Sequence, residues 1–367
     1  MKKLLSLVLA LCMMLCMASV AMAEDTYELA LVTDIGTIDD KSFNQGSWEG
    51  LVQYATENNI THKYYQPAEK STDAYLDSIA LAVAGGAKII VTPGFLFEEP
   101  VYLAQDMYPE VNFILIDGEP HSGDYSEYRT EANTAPILYA EQQAGYLAGY
   151  AAVKDGYTKL GFMGGMAVPA VIRYGYGFVQ GAEDAAKELG VAEVTMNYHY
   201  TGGFDATPEA QAMAASWYND GVEIIFACGG AVGNSVMAAA EASNGKVIGV
   251  DVDQSVESET VVISALKGLS ASVYQTIAAY YEGNFPGGVT TVKDASNNGV
   301  ALPMATSKLV NFTQEDYDAL FAKLASSETV VVDGVETTVP AIAIPDNTTA
   351  ETADALPTEI VKVTVIG

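Results

Sequence analysis

The chain has 367 residues, with 17 basic and 47 acidic side chains, a formal charge of −30 and hydrophobic residues making up half of the sequence. That hydrophobic share excludes general disorder, and the length allows two domains of ordinary size. The charge argues against nucleic acid and anionic lipid, which need a basic surface, and disfavours a highly anionic ligand; a neutral or cationic small molecule stays compatible.

Residues 1–23 read as an export signal. Lys2 and Lys3 open it, Leu4 to Val20 form an apolar core, and Ala21-Met22-Ala23 supplies a small-x-small cleavage pattern before Glu24. A retained anchor fits less well, because the stretch is short for a span. The expected location is therefore outside the cytoplasm, periplasmic or at the extracellular face of the cell membrane. Cys12 and Cys16 lie inside the signal, so only Cys228 remains and no intrachain disulfide is expected. A lipoprotein is the alternative. Leu11 and Leu15 precede those cysteines where a lipid-attachment signal carries a small residue, which weighs against it.

Beyond the signal, short β-rich runs alternate with amphipathic helical runs. Tyr27–Thr33 reads as a buried strand. Ser42–Asn58 reads as a helix, with Phe43, Trp48, Leu51, Val52 and Ala55 at helical spacing and a Ser42–Gln45 capping-box pattern at its start. Strands are expected at Lys63–Gln66, Lys88–Thr92 and Asn112–Asp117, with helices at Asp73–Ala84 and Glu98–Met107 between them. The pattern then restarts. Helices at Ala140–Val153, Gly175–Leu189, Thr207–Asn219 and Asn234–Ala242 alternate with strands at Lys159–Met163, Val194–Tyr200, Glu223–Ala227 and Lys246–Asp251. Val261–Ala265 and a helix over Ser270–Glu282 follow. Strand–helix alternation calls for parallel sheets with helices on both faces, so the fold class is α/β with two lobes. Chain crossings between lobes are expected near 133–138, 253–260 and 285–300. That places 24–136 with 258–290 in the first lobe and 137–257 with 291–325 in the second. Residues 326–367 form a C-terminal extension of unassigned role, containing a hairpin around Asp333-Gly334 and a late strand at Ile360–Ile366.

Ligands of open α/β sheets sit off the carboxyl ends of the strands. The residues there are Asp34, Gly94-Phe95, Asp117, Gly164-Gly165, Gly202–Phe204, Gly229-Gly230 and Asp251. Aromatic rings stack on flat heterocycles, carboxylates accept from N–H and hydroxyl groups, and glycines allow close backbone approach. This inventory suits a neutral, flat, hydroxylated ligand.

Catalytic and metal chemistry find little support. Asp39-Asp40 reads first as a helix cap or loop scaffold, second as a ligand contact. Asp251-Val252-Asp253 lacks the further acids of a Ca²⁺ cage. His62, His121 and His199 are scattered, Cys228 reads as a small buried residue, and neither a phosphate loop nor a nucleophile elbow occurs. Phe43 has a helical register that equally suits the core, Phe95 and Phe97 are open between cleft and core, and Tyr174 and Tyr176 between cleft wall and helix entry.

Three stretches resemble one family: TDIGTIDDKSFNQG at 33–46, KLGFMGGMAVPAVIRYGYGFVQGAED at 159–184, and VIGVDVDQ at 247–254 with SALKG at 264–268. Together they are similar to the basic membrane protein (PnrA-like) family of substrate-binding proteins for ABC importers, over residues 27 to about 325. The resemblance implies a two-lobed periplasmic-binding-protein fold with three crossovers that binds a purine nucleoside between its lobes and delivers it to a membrane permease. On that basis Phe43 stacks on the base, Asn44 and Asp117 bond its edge, and Phe204 closes from the second lobe. Gly230, Asp251 and Lys267 hold the ribose. Asp34 and Asp40 match letters of the motif, as ligand contacts or scaffold. One departure is Gly203 before Phe204, where the family leads us to expect Ser or Thr. The expected protein is a monomeric binding protein rather than an enzyme, with no cofactor, metal or nucleic-acid partner. A secreted nucleoside-processing enzyme and a ligand-sensing surface protein on the same fold are the alternatives, since fold alone does not choose among them.

Overall fold

The computed structural model describes residues 26–332, 335–344 and 356–367. The expected export signal, the Asp333-Gly334 turn and most of the expected irregular stretch after Pro340 lie outside the described residues.

The first lobe is built by β1 (Leu29–Val32), α1 (Phe43–Asn58), β2 (His62–Tyr65), α2 (Thr72–Ala84), β3 (Ile89–Pro93), α3 (Glu98–Met107), β4 (Asn112–Ile116) and β5 (Thr134–Tyr139). The chain then crosses and forms α4 (Glu141–Asp155), β6 (Lys159–Gly164), α5 (Pro169–Leu189), β7 (Val194–Tyr200), α6 (Pro208–Asn219), β8 (Ile224–Cys228), α7 (Val232–Ser243), β9 (Lys246–Asp251) and β10 (Val261–Lys267). It returns to the first lobe for α8 (Leu269–Tyr281) and β11 (Thr291–Lys293). It ends in the second with β12 (Val300–Ala301), α9 (Gln314–Leu324), the hairpin β13 (Ser327–Val332) and β14 (Val335–Pro340), and β15 (Val361–Val365).

Two sheets result, ordered β11-β5-β4-β3-β1-β2 and β12-β10-β9-β8-β6-β7-β15. Within them every pairing is parallel except β10 with β12. Runs such as LALV in β1 and IIFAC in β8 are buried at every position, as strands covered on both faces must be. In the first lobe α1 and α8 cover one face and α2 and α3 the other. In the second, α4, α5 and α9 oppose α6 and α7. The α4–α5 contact is close because glycines four apart on each helix interlock. A Cβ on Gly145 would stand 2.0 Å from the Tyr174 carbonyl oxygen, and one on Gly181 2.0 Å from that of Tyr146.

The lobe boundaries differ from those expected. β5 was not anticipated as a strand, since Pro136 stands at its centre and proline argues against a central strand. It belongs to the first sheet, so the first crossing falls at Ala140 and not at 133–138. β10 pairs with β9, which places Val261–Lys267 in the second lobe and moves the second crossing to Gly268. The segment 258–290 is therefore divided between the lobes. Apolar alternation marks a strand but does not say which sheet receives it. The three crossings lie side by side: Ala140 donates its N–H to the Lys293 carbonyl at 2.9 Å, and Gly268 donates to that of Gly299 at 2.8 Å.

The tail also acquires a place. β15 lies parallel to β7 as the edge strand of the second sheet. Buried Glu183 on α5 accepts the N–H groups of Glu359, Ile360 and Val361 at 2.8–3.0 Å, anchoring its start.

Candidate functional site in the interlobe cleft

Strand ends of both sheets converge on one cleft with about 950 Å³ of empty space, open mouth included. Asp34, Asp40, Phe43, Asn44, Asp117, Phe204, Gly230, Asp251 and Lys267 all line it. Asp117 and Asp251 occupy matching places, just past β4 and at the end of β9, and both adopt the left-handed backbone at φ 60° and 66°. Such a conformation is sparsely populated for non-glycine residues and clusters where function requires it.

A buried chain of charges forms the floor. Arg173 Nε reaches Glu141 Oε2 at 2.5 Å, Glu141 Oε1 lies 3.0 Å from Lys267 Nζ, and Lys267 pairs with Asp117. The ammonium also lies 5.1 Å from the Phe43 ring centre and 5.5 Å from that of Tyr174. Burial opposes the charge on Lys267, but Asp117, Glu141 and Asp251 outweigh it and hold its pKa above the usual lysine range. Burial likewise opposes ionisation of Glu141, yet Arg173 and Lys267 keep its carboxyl low. Asp117 is pushed up by burial and by Glu141, against the pull of Lys267. Burial raises Asp34 to about 6, opposed by the Gly36 N–H and the Asn44 amide.

The beginning of α1 departs from the expected capping box. Ser42 makes no side-chain cap bond. Asp40 holds the helix start instead: Oδ1 accepts from the N–H of Ser42 (2.9 Å) and Gln45 (3.1 Å), and Oδ2 from the N–H (2.9 Å) and Nδ2 (3.0 Å) of Asn44. The carboxylate occupies the free amides of the first turn, so Asp40 lines the cleft as scaffold. Asn44 Nδ2 donates also to Asp34 Oδ1 at 3.0 Å. Its amide hydrogens are therefore engaged within the protein, and Oδ1, which has no partner among the described residues, is presented as an acceptor. Asp117 Oδ1 is a second buried acceptor without a partner there. The first lobe thus contributes two unpartnered side-chain acceptors among the residues that line the cleft.

Phe43 and Phe204 enter from opposite lobes. Gly165 makes room for the second ring, since a Cβ there would lie 2.4 Å from Phe204 Cδ1. Phe95 and Tyr174 also line the cleft, whereas Phe97 and Tyr176 are buried in the lobe cores. Asp253 holds its own loop, accepting from Ser255 N–H at 3.0 Å and Thr306 Oγ1 at 2.6 Å. Among the described residues no cluster of three or more potential metal ligands occurs. Sequence reading missed Glu141, whose position one residue after a lobe crossing carries no local signature. It also missed the cleft-facing start of α5 at Val168–Val171, six residues ahead of the expected helix.

Comparison with known proteins places the chain in a family. Residues 27–334 match the family described as ABC transporter substrate-binding protein PnrA-like. The chain belongs to that family. It is 30% identical over 334 residues to the ABC transporter nucleoside-binding protein BmpA of Lactococcus lactis, covering 85% of this chain and 88% of that protein. It is 28% identical to Basic membrane protein A1 of Borrelia garinii, covering 90% and 96% respectively. Among solved structures, a solute-binding protein of an ABC transporter system from Aeropyrum pernix aligns with TM-score 0.68 at 24% identity, over 81% of this chain and 85% of that one. Another from Conexibacter woesei aligns with TM-score 0.65 at 22% identity, over 82% and 96%. These neighbours share the fold: two parallel sheets flanked by helices, as in periplasmic binding proteins. PnrA-like proteins are substrate-binding components, which implies a small-molecule ligand and a membrane permease partner rather than catalysis. No helix among the described residues is long and apolar enough to cross a membrane.

Proposed function

We propose that this PnrA-like protein is an exported receptor that captures a purine nucleoside between its lobes and presents it to its permease. The observation that carries the reading is the pairing of two aromatic side chains, Phe43 and Phe204, from opposite lobes with a cleft rich in acceptors. Stacking suits a flat heterocycle, and each stacked base gains about 1–3 kcal/mol. Asn44 Oδ1, Asp34 and Asp117 offer acceptors to N–H groups of the base edge. Asp251 and Lys267 offer acceptor and donor to vicinal hydroxyls. Asp40 supports this set by holding the start of α1. The name of the Lactococcus relative points the same way. One chain carries the whole cleft, so a monomer suffices.

Titration calorimetry with guanosine, inosine, adenosine, cytidine and uridine tests the reading. Binding of at least one purine nucleoside, with pyrimidine nucleosides weaker, is expected. Absence of heat with every purine nucleoside would remove the ligand assignment and leave the receptor fold intact. Chromatography of inosine after incubation should show no free hypoxanthine; its appearance would favour a nucleoside-processing enzyme.

A further inference from the structure

We propose that Gln254 is the tongue of an interlobe clasp that holds the lobes together from outside the ligand space. Its side chain is buried, 1% exposed, and it does not line the cleft. Two bonds fix it within the second lobe. Oε1 accepts the Val250 N–H at 3.0 Å, and its own N–H donates to Ser264 Oγ at 3.1 Å. Gly249 leaves the slot it occupies: a Cβ there would lie 2.6 Å from both Gln254 Oε1 and Ser264 Oγ. From this mount Nε2 crosses to the first lobe and donates to the Lys41 carbonyl at 2.7 Å.

The receiving loop is shaped to take it. Lys41 stands at φ 62°, a left-handed conformation that a lysine adopts only when its surroundings impose it. Its N–H donates to Gln45 Oε1 at 3.1 Å, and its ammonium lies 3.7 Å from Glu257 on the second lobe. Next to it, Ser42 Oγ donates to Asp251 Oδ2 at 2.5 Å, again across the lobes. Gly46, on the first two turns of α1, admits Val252, whose Cγ1 would be 2.9 Å from a Cβ at that position. Residues 41–46 and 251–257 therefore form one contact strip beside the cleft, and Lys41, Ser42, Gln254 and Glu257 are all absent from the cleft wall. Contacts made across the lobes favour the arrangement in which they form, whatever lies between them. The clasp biases the ligand-free chain towards closure, and Gln254 acts as a positioning residue.

Gln254→Glu is the decisive variant. It keeps the acceptor for Val250 N–H and replaces the crossing donor with an oxygen that repels the Lys41 carbonyl. At pH 8, small-angle scattering of the ligand-free variant should give a larger radius of gyration than the unmutated chain. Ser42→Ala, which removes the neighbouring bond from the opposite lobe, should shift the radius in the same direction. It serves as the second test should Gln254→Glu fail to fold. An unchanged radius in the folded variants overturns the proposal. The consequence for binding rests on the nucleoside reading above: loss of the clasp should weaken every bound nucleoside by one common factor, at most about tenfold. A change in the ranking of nucleosides would show that Gln254 acts on the ligand and would overturn the positioning role. If no nucleoside binds the unmutated chain, that reading fails, and the scattering result still decides the clasp.

Discussion

The two lobes repeat one strand order and differ in what their strand ends carry. β4-β3-β1-β2 in the first sheet corresponds to β9-β8-β6-β7 in the second. At equivalent ends the first lobe places Asp34 where the second places Gly164, whereas Gly94 matches Gly229 and Asp117 matches Asp251. The first lobe therefore adds one more carboxylate, Asp34, to the cleft, and the second adds a ring on a glycine-lined turn and the Lys267 cation. The lobes also differ in bracing. The second has an added seventh strand tied down by a buried glutamate, whereas the first ends at β2. A shared frame thus carries unequal decoration at the two sides of the cleft.

The largest effect that would break this division lies at Lys267, the buried cation that pairs with acids of both lobes. Lys267→Ala leaves buried Asp117 without its cationic partner and Glu141 with Arg173 alone, and should cost roughly 3–5 kcal/mol of stability by denaturant unfolding together with most of the ligand affinity. A variant of normal stability would show that the charge chain is not a structural joint. Next in size, Glu183→Ala removes the acceptor of three N–H groups and should cost about 2–3 kcal/mol. Hydrogen exchange should rise in β15 and β7 and remain unchanged in the first lobe, with nucleoside affinity retained. Phe204→Ala should weaken nucleoside binding by about 1–3 kcal/mol. Phe43→Ala should weaken it comparably, and both should lower stability, because each ring also packs on the core of its own lobe. The smallest effect is a titration. Burial holds the Asp34 pKa at about 6, above the ordinary 3.8. On the proposed reading a base N–H would bond the ionised carboxylate, so affinity should be full above pH 7. It should fall as pH drops through 6, approaching a tenfold loss per further unit for a single linked proton. Calorimetry at pH 5, 6 and 7.5 measures this, and Asp34→Asn should flatten the profile.

Much of the site was legible because strand ends in an α/β sheet are points in the sequence: the alternation of KIIVT, NFILID and KVIGVD with helices named Asp117 and Asp251 without any tertiary information. The TDIGTIDDKSFNQG stretch likewise led to Phe43 and Asn44. The direction of Asn44 was not legible, because it depends on Asp34 and Asp40 capturing both amide hydrogens. Ser42 looked like a cap and became a bridge to Asp251, because Asp40 reached the helix amides first. Glu141 and Gln254 escaped notice for the same reason: their partners, Lys267 and Lys41, are far away in sequence.

By itself, then, the sequence determined the α/β class, the two lobes and the side chains available at the strand ends, since hydrophobic periodicity and strand–helix alternation are local properties. Tertiary structure alone decided which sheet received β5 and β10, that the C-terminal strand completes the second sheet, and which polar atoms remain free in the cleft. Those outcomes depend on burial and on long-range hydrogen bonds, where each acceptor goes to whichever donor the fold brings within reach.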